Sequence, residues 1–261
     1  MRMGRYDAEG DAPLVVPSIE IDSPFEFDGA FARRLLKRKV NPKEAFTVSD
    51  PSGAYFRAAL RELTEDGGVA LPYERMARSP EPVIEITLAC AVLARQRMIF
   101  VVQKATELGA SRIVPLLTDH SVPETGLEHE KAHAWPGQVT RAARQCRRSS
   151  LPELLAPVTL EGFLPSTAAR ADLTLFLDDR SEPAPAAPAE AASSGAASAA
   201  APKSIILFTG PEGGFSDRER EILKAKAAPL ALGGRVLRAE TAVIAGLTAI
   251  HLAWGDFRRQ I

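Results

Sequence analysis

Residues 204–223 read "SIILFTGPEGGFSDREREIL". An apolar run of strand length, Ser204–Phe208, enters a glycine-rich loop, and the loop enters a segment that begins like a helix. Ser216 followed by Glu219 three residues on fits a capping box. Strand, loop and helix in direct succession make half of a βαβ unit, and the same grammar recurs upstream. "VIEITLACAVL" (83–93) predicts a buried strand. "RMIFVVQKATELG" (97–109) predicts a helix closed by Gly109 at the C′ position. "SRIVPLLT" (111–118) predicts the next strand, and "PGQVTRAARQCRRSS" (136–150) a helix opened by Pro136. Further strands are expected in "LPELLAPV" and "ADLTLFLD". This alternation predicts an α/β domain with a largely parallel sheet.

The region before about residue 78 follows different rules. "LVVPSIEI" precedes a basic, helix-like stretch, "DGAFARRLLKRKVNPKEAF". "FTVSD" and "AYFRAAL" then flank "PSG", a hairpin signal, and "GVALPYERM" adds a strand. A small barrel or sandwich over residues 1–78, followed by the α/β domain over 79–261, is the expected organisation. Residues 181–203, "SEPAPAAPAEAASSGAASAAAPK", have no large apolar side chain to bury. They predict a flexible insertion spanning roughly 25 Å as a coil and carrying no chemistry.

The 261 residues are 46% hydrophobic with a formal net charge of −1, so any affinity for nucleic acid must come from local patches. Cys90 and Cys146 are too few for a disulfide framework. His129 and His133 stand four apart, but in a polar stretch, and no metal site is expected. "MRMGRYDAEGDAP" lacks the apolar core of a secretory signal, and no run approaches the roughly 20 apolar residues of a membrane span. A cytoplasmic protein is the expectation.

Three glycine-bearing segments fall at element junctions of the α/β domain, where open sheets bind ligands. In "FTGPEGGF" the P-loop ending and the GxGxxG spacing are both missing, and Glu212 would repel a phosphate. The loop suits a flat, largely neutral ligand approached closely by the backbone, or a cationic one paired with Glu212. A tight strand-to-helix turn reads equally well. "LALGGRVLRAETAVIAGLTAI" (230–250) places Arg235 and Arg238 just ahead of a helix, followed by Glu240 and Thr241. Arginines there oppose the helix dipole unless they bind an anion or pair with Glu240. The third segment, "QKATELGASRIVPLLTDHS" (103–121), hands a helix to a strand and then to a polar loop. Outside these, Arg141, Arg144 and Arg148 fall at i, i+3 and i+7 with Arg147 beside them, a phosphate-contacting stripe or a solvated face. A second basic run holds Arg33, Arg34, Lys37, Arg38, Lys39 and Lys43.

Taken in order, "QKATELGASRIVPL", "RAARQCRRSSLPEL", "FTGPEGGFSDRE" and "LGGRVLRAETA" resemble the RsmE-type ribosomal RNA methyltransferases of the SPOUT class. The resemblance covers about residues 83–256 apart from the insertion; more weakly, "FARRLLKRKVNPKEAFTVSDPSGAYFRAAL" resembles the family's PUA-like barrel. It implies a trefoil-knotted methyltransferase domain behind a PUA-like β-barrel, a homodimer, and S-adenosylmethionine-dependent methylation of N3 of a uridine in 16S ribosomal RNA of the small subunit. It further implies cofactor contacts from Thr209, Gly210, Pro211, Glu212, Gly214, Leu232, Gly233, Arg235, Leu237 and Thr241. Arg238 would stabilise the uridine anion, with Glu240 orienting it or acting as base; Arg235 could instead hold RNA phosphate. RNA docking falls to Arg34, Arg38, Arg141, Arg144 and Arg148. Three departures stand out: Gly234 replaces the family's usual proline, Arg147 and Ser149 replace a more usual glycine and asparagine, and the start around Arg5 lacks the family's "RRFF". Two alternatives remain open: a non-catalytic RNA-binding protein indifferent to S-adenosylmethionine, and a SPOUT enzyme acting on transfer RNA.

Overall fold

The computed structural model describes residues 12–167, 171–178 and 201–257. Arg5 and nearly all of the 181–203 insertion lie outside the described residues. The chain divides into two compact units, one running to Glu81 and taking in Val139–Glu153, the other comprising Pro82–Gln138 and the chain from Leu154 onward. The sequence boundary near 78 gave 139–153 to the second domain, whereas these residues return to the first.

The first unit holds β1 (Phe25–Asp28), α1 (Gly29–Lys37), β2 (Ala45–Ser49), β3 (Tyr55–Leu63) and β4 (Gly67–Arg75). Its sheet has the order β1-β4-β3-β2, and all three pairings are antiparallel. The hairpin predicted at "PSG" is present. Asp50 Oδ1 accepts from the backbone N–H of Ser52 at 2.9 Å and of Ala54 at 3.0 Å, and Gly53 takes φ +84. Asp28 caps α1 by accepting from Phe31 N–H at 2.9 Å, and Ala32 and Leu35 form the buried face of the helix. The strand expected in "LVVPSIEI" shrinks to one parallel bridge, Val15 with Ser49. The next ladder bond would run from residue 51 to the Val16 carbonyl, and Pro51 has no N–H to donate. Leu14, Leu35, Val48, Leu60 and the phenylalanines around them make the core.

Arg148 and Glu81 anchor the returning segment. Arg148 Nη2 lies 2.9 Å from Glu81 Oε2, with side-chain exposures of 4% and 14%. Glu81 also accepts from the N–H of Ser149 at 2.7 Å, the N–H of Ser150 at 3.0 Å and the Ser150 hydroxyl at 2.5 Å. Burial pushes the Glu81 carboxyl up, but the Arg148 charge and the bonds from Ser150 together outweigh it and hold the group below its usual value.

The second unit begins with β5 (Glu85–Ala91), α2 (Arg95–Glu107) and β6 (Arg112–Leu117). Then come α3 (Trp135–Gln145), whose chain passes between the units, β7 (Glu153–Leu154), β8 (Val158–Thr159), α4 (Leu160–Thr167) and β9 (Leu173–Leu177). Last are β10 (Ser204–Thr209), α5 (Asp217–Lys224), β11 (Ala228–Leu230) and α6 (Ala239–Ala253). The sheet order is β11-β9-β10-β5-β6-β7, with β8 beside β6. The pairs β11–β9, β9–β10, β10–β5, β5–β6 and β6–β8 are all parallel. α6 lies close to the sheet at Gly246, where a Cβ would stand 3.0 Å from Leu207 Cδ2. Among the described residues no helix is long and apolar enough to cross a membrane, and no group of three or more histidine, cysteine or acidic side chains could hold a metal ion.

Because the Glu81 carboxyl is held below its unfolded value, its stabilisation is present above that value, about pH 4.3, and fades as pH falls through the folded one. Glu81→Ala should cost about 3 kcal/mol in urea unfolding at pH 7, since it removes one half of a buried ion pair. The gap between variant and wild type should narrow below about pH 4.

Candidate functional site

In parallel pairing, the carboxyl ends of β9, β10 and β11 emerge on one edge, and the chain must leave the sheet there. The exits hold Asp178, the loop Thr209–Phe215 and the loop from Ala231 to Arg238. Together with the start of α6 and Arg97 from the first turn of α2, they enclose a cavity of about 380 Å³. All of its lining belongs to the second unit.

The glycine loop is held from outside. Ser216 and Glu219 form the predicted capping box: Ser216 N–H donates to Glu219 Oε2 at 2.9 Å, and Glu219 N–H to Ser216 Oγ at 3.3 Å. Glu219, only 1% exposed, also accepts the N–H of Asp119 at 2.9 Å through its other oxygen. Ser216 Oγ donates to Asp119 Oδ2 at 2.6 Å, a bond that leads the forces lowering the Asp119 carboxyl below its usual value. His120, with its proton on Nδ1, donates to the Gly214 carbonyl at 3.0 Å. The third glycine-bearing segment of the sequence thus ends as a brace for the first. Gly214 sits at φ +70, a left-handed conformation that favours glycine.

The cavity gathers most of the residues singled out in sequence. Thr209, Gly210, Pro211, Glu212 and Gly214 line it from one loop, and Leu232, Gly233, Arg235 and Leu237 from the other. Arg238, the N-cap of α6, and Glu240, its second residue, complete that side. Thr241 is not among the lining residues and is exposed. At about 100° per residue it sits on the far side of α6 from Ala239, around which the lining arc is centred.

Sequence reasoning missed Arg97, Asp178 and Arg220. Arg97 Nη1 donates to Glu212 Oε1 at 2.5 Å, and Nε lies 3.9 Å from Glu240 Oε2. The bond to Glu212, then the charge of Glu212, push the Arg97 guanidinium above its usual value, and the charge of Glu240 adds to this. Glu240 therefore pairs with Arg97, not with Arg238. Among the described residues the Arg235 and Arg238 side chains form no ion pair, and both are exposed. Asp178 and Arg220 make a buried ion pair on the cavity wall. Its halves come from the end of β9 and from α5, 42 residues apart, a separation no local pattern reveals.

Two polar atoms of the lining are buried without a hydrogen bond from nitrogen or oxygen: the Thr209 hydroxyl oxygen and Glu240 Oε2. A ligand with hydrogen-bond donors or a positive centre would satisfy both. The rest of the lining mixes aliphatic side chains and glycine backbone with four arginines, and no lysine belongs to it.

The basic stripe does not form as expected. Arg147 adopts φ +65, so α3 stops at Gln145 and Arg148 lies past the end of the helix, buried against Glu81. Arg144 lies 2.6 Å from Glu44 and donates to the Lys39 carbonyl at 2.8 Å. Arg34 donates to the carbonyls of Ala12 and Pro13, and the buried Arg38 to those of Ala12 and Ser149. Arg141 is exposed, as are Arg33, Lys37, Lys39 and Lys43.

A family model described as an RNA methyltransferase domain matches residues 79–251. The ribosomal RNA small subunit methyltransferase E of Synechocystis is 34% identical over 222 residues, covering 85% of this chain and 69% of the relative. The protein of the same name from Bacillus subtilis is 25% identical, covering 95% of this chain and 96% of its own. A Legionella pneumophila protein, solved in complex with the bound cofactor SAM, is 26% identical with a TM-score of 0.60, over 93% of this chain and 98% of that one.

The buried pair gives a test of how the cavity wall is held. Asp178→Ala should destabilise the chain by about 3 kcal/mol, because it removes one half of a buried ion pair. Replacing both partners with leucine should recover most of that loss in urea unfolding.

Proposed function

The chain belongs to the RNA methyltransferase family, in the branch named ribosomal RNA small subunit methyltransferase E, and from that premise we propose that it methylates N3 of a uridine in 16S ribosomal RNA with S-adenosylmethionine as donor. One observation carries the reading. The two loops and the helix start that bear the family's motifs close on a single cavity, and among the described residues its buried Glu240 Oε2 receives no hydrogen bond. That cavity suits the cofactor. It has no phosphate, so no lysine cradle is needed, and its donors and cationic centre match the Thr209 hydroxyl and the two glutamates.

When bound, S-adenosylmethionine supplies an activated methyl group on a sulfonium. The protein positions the acceptor and manages the N3 proton. Glu240, with a buried oxygen that no donor occupies, is the proposed acceptor of that proton. Arg238, exposed at the mouth with no internal partner, is proposed to stabilise the negative charge that develops on the uridine imide. Arg235, beside it on the loop, is available to an RNA phosphate.

The same premise extends to the finer architecture. β11 returns outside β9 after β10 and α5, which supports the trefoil knot of the SPOUT class. The antiparallel sheet with its parallel bridge at Val15 supports a PUA-like first domain. Exposed Phe100 on α2 and Leu252 on α6, two helices packed together, support a homodimer. The exposed Arg141, Arg33, Lys37, Lys39 and Lys43 are the proposed RNA-docking residues, on the ground of their exposure.

Mass spectrometry of small-subunit RNA from cells with and without the gene tests the reading. One N3-methyluridine should disappear with the gene, and an unchanged nucleoside profile would sink it. Arg238→Ala should lower kcat by about 100-fold or more while changing cofactor Kd by less than about twofold. Lys39→Ala combined with Lys43→Ala should weaken RNA binding uniformly across sequences and reduce its salt dependence.

A further inference from the structure

Arg97 stands between two glutamates that belong to different walls of the cavity. It donates to Glu212 at 2.5 Å, and its Nε is 3.9 Å from Glu240. One guanidinium against two carboxylates leaves the trio with a formal charge of 1 − 2 = −1. The arrangement is lopsided. Glu212 takes the short bond, while Glu240 keeps a buried oxygen with no hydrogen bond. Such an oxygen is costly to hold beside a cavity unless a positive ligand completes it.

The proposed donor and its spent form differ by one charge. When the sulfur–methyl bond breaks, the methyl group goes to uridine N3, the electron pair stays on sulfur, and the sulfonium becomes a neutral thioether. We infer that the Arg97–Glu212–Glu240 trio selects the charged cofactor over its neutral product, S-adenosylhomocysteine, and so favours exchange of spent for fresh donor. This rests on the methyltransferase reading above. Arg97 sets the size of the preference: without it the trio would carry a formal −2, and without Glu212 it would carry none. The remaining charges of the lining are a background common to all variants. Asp178 and Arg220 are paired with each other, and Arg235 and Arg238 are exposed and screened by water, as in part are Arg97 and Glu212 at 43% and 37% side-chain exposure.

Titration calorimetry of the full chain with S-adenosylmethionine and with S-adenosylhomocysteine tests this without any turnover. The ratio of the two dissociation constants is the readout, because a merely structural role would move both constants together. Arg97→Gln should shift the ratio toward the charged ligand by about threefold, and Glu212→Gln toward the neutral product by a similar factor. Arg97→Lys, which conserves the charge, should hold the ratio at the wild-type value, and both shifts should shrink as salt is raised. An identical ratio in wild type, Arg97→Gln and Glu212→Gln would overturn the inference while leaving the methyltransferase reading intact. Failure of the wild type to bind either ligand would overturn the reading and the inference with it.

Discussion

β10 is paired in parallel with β9 on one side and β5 on the other. Its backbone polar groups are spent on the sheet as far as Phe208 on the β9 side and Thr209 on the β5 side. A central strand in that position has to release the chain at its carboxyl end, into a loop whose own backbone groups need other partners. The glycine loop, its braces from Asp119, His120 and Glu219, and the cavity behind it all follow from this constraint. β9 and β11 end on the same edge because they run in the same direction, so the residues just past each strand meet without further design.

Much of the second unit was legible because its signals are local. The run Ser204–Phe208 is apolar on both faces, as a strand between two neighbours must be, and Ser216 with Glu219 announces the helix within four residues. Gly109 marks the end of α2 through its positive φ. The hairpin at "PSG" was equally local. Tertiary competition defeated the reading elsewhere. "LVVPSIEI" has strand composition, yet Pro51 on the partner segment lacks the next donor and leaves a single bridge. In "RAARQCRRSS" the helical spacing of the arginines is real only to Gln145, because Arg147 turns left-handed and takes Arg148 out of register.

The arginines of the first unit show why a charge run in sequence is not a charge patch in space. Guanidinium carries five donors in a rigid fork and is weakly hydrated, so it can serve carbonyl oxygens at chain crossings. Arg34 and Arg38 do this for Ala12, Pro13 and Ser149, and Arg144 does it for Lys39. The lysines of the same run, strongly hydrated point charges on flexible stems, stay outside. The sequence run was one feature; the fold turns Arg34 and Arg38 to structural use and leaves Arg33 and the lysines exposed.

At the site, the loops could be read from sequence because glycine and the motif spacing mark them, but the electrostatics could not. Glu212 lies in the loop, Glu240 in α6, and the charge that reconciles them comes from α2, more than a hundred residues earlier in the chain. Without Arg97, the two glutamates would face one cavity as like charges. With Arg97 between them, one negative charge is cancelled at close range and the other is left available. Glu212 is therefore neither an obstacle to a ligand nor a free anion waiting for one. It is the member of the pair that holds the arginine, and in holding it leaves Glu240 as the carboxylate with an unclaimed oxygen.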